Sequence, residues 1–197
     1  MSKSSIKTRV LILTEAKKLI AKKGFQAASF QKIATACKIH QPAIFYYFKN
    51  KEQLLDAVID DIIIHSHQVV ETHTSRALDA KQKMEAHFWG TLSWAMEYPD
   101  ESIILGLLYY YASFQKDFQK KYKTILERAR FRIQSILNES MHQKLVHAHI
   151  DLKETSSLLH DCLLGGLVNC VATGKEKDQI KLLKKRWVTL LKTIYLA

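Results

Sequence analysis

The chain has few helix-breaking residues, few cysteines and no long hydrophobic run. Its 197 residues include six glycines and only two prolines, Pro42 and Pro99, so long stretches lack a strong helix breaker. The three cysteines are odd in number and form no Cys-X-X-Cys pair, which argues against a disulfide framework and fits a reducing compartment. The richest apolar stretch, residues 103–114, is shorter than the roughly 20 residues of a membrane span. We therefore expect a helical, cytoplasmic protein without a membrane partner.

Positive charge is concentrated at the start of the chain. The formal net charge is +11, and residues 1–51 contain eleven lysines and arginines but a single acid, Glu15. The remaining residues carry nearly balanced charge. A localised basic segment attracts polyanions such as nucleic acid or an anionic membrane surface, and it can also be a solvated face that improves solubility. Composition alone leaves these interpretations open.

Apolar spacing predicts three short helices in this basic segment. An apolar stripe predicts a first helix over residues 7–23, which Gly24 ends in a left-handed conformation. Ser29 is a suitable N-cap for a second helix that ends at Cys37. After a short break, a third helix begins near Gln41, because the proline that follows is tolerated only in the first turn of a helix.

Two short helices joined by a tight break in a basic segment are typical of a helix-turn-helix unit. The second helix of such a pair enters the major groove of DNA with its N-terminal side chains. Gln41 suits a bidentate contact to adenine, whereas Pro42 and Ala43 suit contact with a thymine methyl group. The predicted DNA-binding residues are Ser29, Gln31, Lys38, His40, Gln41, Pro42, Ala43, Tyr46, Tyr47 and Lys51.

Longer helices are predicted over the rest of the chain. Asn50 and Gln53 have the spacing of a capping box, so a fourth helix begins near Lys51 and extends to about His73. Five further helices are predicted over residues 79–98, 100–114, 116–144, 151–173 and 176–195. The prediction is an all-α fold of about nine helices, with a three-helix DNA-binding domain over residues 1–50 and a larger helical bundle over residues 51–197.

Residues 33–55, IATACKIHQPAIFYYFKNKEQLL, closely resemble the DNA-binding signature of the tetracycline-repressor (TetR) family. The apolar positions, Tyr47 and the pair Asn50-Lys51 match that signature in order and spacing. The resemblance covers about the first quarter of the chain. It implies a dimeric DNA-binding regulator, in which a second, divergent helical domain dimerises and binds a small molecule.

Three positions depart from the family pattern. Lys38 stands where the turn usually has glycine, so a left-handed backbone at this position is strained. His40 replaces serine, which is the better N-cap, and Phe45 replaces a tyrosine that in relatives binds a phosphate. Loss of that hydroxyl is expected to weaken the contact with the DNA backbone. A contact between the nearby Lys38 and a phosphate would compensate for it.

Two features of the last helices favour dimerisation. Apolar residues of the ninth predicted helix are spaced three and four apart, as in a coiled-coil seam. Two adjacent glycines lie inside the eighth predicted helix, where each costs about 1 kcal/mol relative to alanine, and close approach of another helix would offset that cost. Packing of the same two helices within one chain is the alternative. The predicted dimer-interface residues are Gly165, Gly166, Leu183, Trp187, Leu190 and Ile194.

Aromatic residues of the middle helices are candidates for an effector pocket. Aromatic rings with a few hydroxyl groups can line an apolar cavity, although the same residues can be ordinary core. The predicted effector is small and apolar or aromatic. The predicted pocket residues are Phe88, Trp89, Tyr109, Tyr110 and Phe114.

The sequence contains no recognisable catalytic or cofactor motif. His160, Asp161 and Cys162 are consecutive, and consecutive side chains on a helix point about 100° apart, so they cannot form a triad. Histidine pairs spaced by two, such as His65 and His67, are more simply explained as solvated residues than as metal ligands. We predict a homodimeric repressor that binds a two-fold operator in double-stranded DNA and is released by an effector, with no enzyme activity, metal or cofactor. The alternatives are a helical-bundle enzyme or carrier with a basic arm, and an architectural DNA-binding protein.

Overall fold

The structure is a computed structural model that describes residues 3–196, and within them the fold is all-α, as predicted. No helix among these residues combines the length and the apolar composition that crossing a bilayer requires. A short 3₁₀ helix, Phe25–Ala27, follows the first α-helix. The nine α-helices of the described chain are α1 Lys3–Lys23, α2 Phe30–Cys37, α3 Gln41–Tyr47, α4 Lys51–Thr74, α5 Ala80–Glu97, α6 Pro99–Ala112, α7 Lys116–His142, α8 Leu152–Ala172 and α9 Lys177–Ile194.

Side chains cap three helices, and two of them, Ser29 and Asn50, do so at the predicted positions. Ser29 Oγ accepts a hydrogen bond from the backbone N–H of Lys32 at the start of α2. Asn50 Oδ1 accepts one from the N–H of Gln53 at 2.8 Å, at the start of α4. Asp151 accepts bonds from two N–H groups in the first turn of α8. Because capping depends on residues three or fewer positions apart, the sequence is sufficient to predict it.

At Gly24 the structure differs from the predicted end of α1. Its backbone has φ 79° and ψ 171°, so φ is positive as expected, but ψ is extended rather than left-handed helical. This combination is essentially restricted to glycine, because any Cβ would clash with the backbone. It directs the chain into the 3₁₀ helix, and Phe25 is buried there.

The chain divides into two compact units. The smaller one extends to His65 and also includes Tyr98–Tyr110, and the larger one comprises Ser66–Glu97 and the chain from Tyr111 onward. The units therefore do not coincide with the predicted ranges 1–50 and 51–197. Within the smaller unit, Lys17 of α1 bonds Glu101 of α6 at 2.7 Å and Asp61 of α4 at 3.0 Å, which joins the three helices.

The core of the larger unit is formed by α5, α7, α8 and α9. Phe88 of α5 is stacked on Trp187 of α9, with ring centroids 4.9 Å apart, and both side chains are almost fully buried. A buried hydrogen bond of 2.9 Å between Ser140 and Tyr195 fastens the end of α9 to α7. The other large buried residues of this core are Met84, Leu92, Ile133, Leu137, Leu159, Leu163, Leu183, Leu191 and Ile194.

Candidate nucleic-acid interface

The buried faces of α1, α2 and α3 hold the helix-turn-helix together. Ile33 and Ala34 of α2 and Ile44 of α3 are buried, and the two helices also contact each other directly. Ile12 and Ile20 of α1 belong to the same buried set. Because these apolar faces are used for packing, the polar side chains of α2 and α3 remain on the outside of the unit.

The turn between α2 and α3 is built on a left-handed lysine. Lys38 has φ 56° and ψ 40°, and its side chain is exposed. Its N–H bonds the carbonyl of Thr35 at 3.1 Å, and the N–H of Ile39 bonds the carbonyl of Ala34 at 3.0 Å. This pair of bonds is the Schellman arrangement, in which glycine usually occupies the left-handed position. The strained backbone that the sequence predicts at Lys38 is therefore present.

The N-terminal end of α3 is accessible. His40 is its N-cap residue and makes no capping hydrogen bond, as expected for a replacement of serine. Gln41 and Pro42 are exposed, Ala43 is half-buried, and Gln31 on α2 is also exposed. These residues can reach the base edges of a major groove, which is the geometry that a recognition helix requires.

The aromatic residues of α3 differ in their surroundings. Tyr46 is 75% exposed, whereas Phe48 is buried. Phe45 is half-exposed and meets Phe30 edge to face at 4.9 Å. Tyr47 is half-buried and lines a surface pocket of about 290 Å³ that also includes Asp56, Asp60 and Asp61. Carboxylates repel phosphates, so Tyr46 is better placed than Tyr47 for DNA contact.

Lys51 already has a partner within the chain. Its ammonium donates a 3.0 Å hydrogen bond to the carbonyl of Gln26, which ties the start of α4 to the 3₁₀ helix. Burial and the nearby charge of Lys32 lower the pKa of Lys51. An ammonium carries three donors, so two remain for a phosphate. The role of Lys51 in DNA binding stays a prediction, as do those of Ser29, whose hydroxyl caps α2, and of the exposed Lys38.

The aromatic residues predicted to form an effector pocket lie in different environments. Phe88 belongs to the core, whereas Trp89 is 45% exposed and lies under the ammonium of Lys184, 4.7 Å from the ring centroid. Tyr109, Tyr110 and Phe114 are each more than half exposed. Neither the surface pocket beside Tyr47 nor a second one, lined by residues such as Glu71 and Leu78, includes any of the five. The effector pocket remains a prediction.

Most of the predicted dimer residues pack within the chain. Leu183, Trp187 and Ile194 are at most 5% exposed, and a Cβ on Gly166 would overlap the side chain of Leu183. These are the intrachain contacts that the sequence left open as the alternative. Leu190 is half-buried, and Gly165 is exposed with nothing within 4 Å of the position of a Cβ.

A group of buried polar side chains in the larger unit was not predicted from the sequence. His67, His87, Arg132 and His160 are each partly or fully buried, so the expectation that His67 is a solvated histidine is wrong. A signal was present, since His87 falls between the buried residues Met84 and Phe88 on the apolar face of α5. A polar residue on such a face is informative because it must be hydrogen-bonded or serve a function.

Comparison with known proteins gives a match in the N-terminal segment. Residues 12–58 match the model of a family described as bacterial regulatory proteins, tetR family. Over 50 residues the chain is 44% identical to a Bacillus subtilis protein described as uncharacterized HTH-type transcriptional regulator YuxN. The matched segment amounts to 25% of this chain and 17% of the length of that curated relative.

Solved structures resemble the chain over nearly its whole length. A putative transcriptional regulator from Saccharomonospora viridis in complex with choline has a TM-score of 0.83 at 17% identity, over 97% of this chain and 99% of that chain. FadR from Bacillus subtilis in complex with stearoyl-CoA has a TM-score of 0.79 at 20% identity, over 94% and 98% of the two chains. FadR from Bacillus halodurans has a TM-score of 0.82 at 18% identity, over 94% and 95%. At these identities the similarity concerns the fold.

Proposed function

We propose that this chain is a regulator of the tetR family, whose model matches residues 12–58, and that it is a homodimeric repressor that binds a two-fold operator and releases it when a small-molecule effector binds. The observation that carries the proposal is the accessible N-terminal end of α3 in a segment that matches the family model. The concentration of basic residues in the same segment supports it, because phosphate neutralisation supplies much of the affinity for DNA.

Dimerisation is proposed through the outer face of α8. Leu158 and Val168 are 55% and 51% exposed, and Gly165 between them allows another helix to approach closely. Exposed apolar side chains on one helix face are typical of a surface that a partner covers. A two-fold dimer presents two α3 helices to half-sites about 34–36 Å apart, or a multiple of that distance.

Effector control is proposed for the larger unit. Two proteins of this fold were crystallised with small molecules, choline in one and stearoyl-CoA in the other. We infer that an effector shifts the conformational equilibrium of the dimer towards a state in which the distance between the two α3 helices does not match the spacing of the operator half-sites. The shift is limited by the difference between the effector's affinities for the two states.

Selection of binding sites from random DNA tests the DNA-binding role. We expect a two-fold site whose affinity falls steeply with salt. Gln41→Ala should lower affinity for the selected site about tenfold, which corresponds to the loss of a bidentate base contact. Gln119→Ala on the exposed face of α7 is the matched control and should leave affinity unchanged.

The same selected site tests repression. A promoter carrying the site should give less transcript when the protein is added, and the protein should leave the site when the effector is added. Selection of no site, or equal affinity of the Gln41 variant and the parent, would contradict the assignment of α3 as reading helix. Increased transcription would contradict repression and indicate an activator.

A further inference from the structure

Four helices of the larger unit contribute polar side chains to one buried cluster. His67 lies on α4, His87 on α5, Arg132 on α7 and His160 on α8, and we refer to these four residues as the His–Arg cluster. They lie near enough that His67, Arg132 and His160 all affect the pKa of His87. On α5, α7 and α8, residues close to the cluster residues in sequence belong to the apolar core. The cluster therefore places polar side chains among apolar core residues.

The imidazoles of this cluster differ in their partners: Nδ1 of His160 lies 3.1 Å from Oδ1 of Asp161, whereas His67 and His87 show no such contact within the described chain. His87 is only 7% exposed, and among residues 3–196 nothing hydrogen-bonds to its ring. The Nε2 atom of His67 is buried and also has no partner. Buried polar groups are almost always hydrogen-bonded in folded proteins, so the unpartnered Nε2 of His67 and the buried ring of His87 require an explanation.

The positive charge of Arg132 is not compensated by an ion pair within the described chain. No carboxylate of the described chain pairs with Arg132, although its side chain is partly buried, and Arg128 on the same helix adds further positive charge. Asp161 pairs with His160 at 3.1 Å and with Arg130 at 3.0 Å, but not with Arg132. A buried charge without a partner is unfavourable, because its lost hydration is not replaced.

We propose that the His–Arg cluster binds the carboxylate of the effector, with the Arg132 guanidinium pairing its two oxygens and the imidazoles of His67 and His87 donating hydrogen bonds. This inference rests on the proposed effector control and names the chemical class of the effector. A planar guanidinium matches a carboxylate in geometry, and one arginine balances one negative charge. The surrounding core predicts an apolar body attached to the carboxylate, and the positive cluster excludes a cationic effector.

Proton linkage gives the proposed site a distinctive signature. Burial and nearby positive charge lower the pKa of His67 and of His87 to about 4, so both rings are neutral at pH 7. The charged and titratable groups around them are His160 of α8, which pairs with Asp161, and the arginines Arg128, Arg130 and Arg132 of α7. A bound anion favours the protonated imidazole and raises these pKa values. Binding should therefore take up protons and tighten as pH falls from 7 towards 5.

Calorimetric titration of the full chain with a set of carboxylates tests the proposal. The set contains straight-chain acids from acetate to palmitate and benzoate, each compared with its methyl ester, together with choline and an alkyl phosphate. We expect at least one carboxylate to bind at least about ten times more tightly than its ester, with proton uptake, and we expect choline not to bind. Binding of the ester as tightly as the acid, binding of choline or of the alkyl phosphate alone, or no binding at all would overturn the proposal.

Variants separate a binding role of Arg132 from a structural one. Arg132→Met should weaken binding of the carboxylate at least about tenfold, and it should raise the melting temperature of the ligand-free protein, because it removes an uncompensated charge. Arg186→Met on the exposed face of α9 is the matched control and should change neither. Unchanged carboxylate binding in Arg132→Met, or a lower melting temperature of the ligand-free variant, would overturn the assignment.

The site and the proposed function can fail separately. Carboxylate binding is measured without DNA, and operator binding is measured without carboxylate. If the protein binds its operator but no carboxylate, the proposed carboxylate site is refuted and the proposed regulatory function is not. A protein that binds the carboxylate at Arg132 but selects no operator refutes the proposed regulatory function and leaves the site standing.

Discussion

Single residues show most directly where local sequence is sufficient to predict structure. Ser29 and Asn50 cap the helices that the sequence assigns to them, because a cap depends only on its immediate neighbours. Gln53 departs slightly from the predicted reciprocal bond, since its side chain accepts from the N–H of Lys49 at 2.7 Å. The prediction for His67 was wrong, because burial of its ring depends on helices far away in the sequence.

Lys38 carries a prediction at this scale. Replacing a left-handed lysine by glycine removes backbone strain, so Lys38→Gly should raise the free energy of unfolding by about 1 kcal/mol. If Lys38 also contacts a phosphate, the variant should bind the operator more weakly, with a salt dependence smaller by about one phosphate contact. Urea unfolding and operator affinity at several salt concentrations measure the two effects.

Lys144 offers a matched control for that experiment. It is also left-handed, with φ 57°, and it lies in the larger unit after α7. Lys144→Gly should therefore gain similar stability without any change in operator affinity. An equal loss of affinity in both variants would show that Lys38 does not act through a DNA contact.

Helix boundaries were largely predictable, whereas helix partners were not. All nine helices of the described chain lie within a few residues of their predicted ranges, because periodicity, caps and Pro99 are local signals. The apolar stripe of α9, with residues three and four apart, was equally well predicted. Such a spacing does not specify which helix packs against the stripe. The structure covers it with α8 of the same chain, through contacts such as that of Gly166 with Leu183.

The two adjacent glycines of α8 provide a prediction for this element. Gly166→Ala should lower the free energy of unfolding by about 1–3 kcal/mol, because the new methyl group overlaps Leu183 in the core. Gly165→Ala is the internal control, since its Cβ position is open within the chain and alanine favours the helix. Urea unfolding of both variants measures the difference. Equal destabilisation by the two changes would contradict the packing described for α8 and α9.

At the scale of the whole molecule, the two units differ in how much sequence alone reveals. The helix-turn-helix of the smaller unit is a continuous motif, so its elements and exposed residues follow from the order of the residues themselves. The His–Arg cluster is assembled from four helices between His67 and His160, and no local pattern connects them. The aromatic residues were likewise grouped by composition; none of them lines the two surface pockets described above, and their role in an effector pocket stays a prediction.

Assembly gives the prediction at this scale. Leu158→Glu together with Val168→Glu should convert the proposed dimer to a monomer, because charges are buried without partners in its interface. Operator affinity should fall with it, since one reading helix is lost from each complex. Light scattering after size-exclusion chromatography measures the mass. Leu78→Glu, at an equally apolar but 89% exposed site, is the control and should leave the mass unchanged. A mass unaffected by the double change would place the dimer surface elsewhere.

The unpaired guanidinium of Arg132 has a consequence for the abundance of the protein in a cell. A ligand that binds only the folded state stabilises it in proportion to the logarithm of its concentration, and proteases act on unfolded chains. If the effector neutralises Arg132, the ligand-free regulator is the shorter-lived form. Rising effector levels would then release the operator and, at the same time, lengthen the lifetime of the released protein, so that a pool of regulator is ready to bind again when the effector is exhausted.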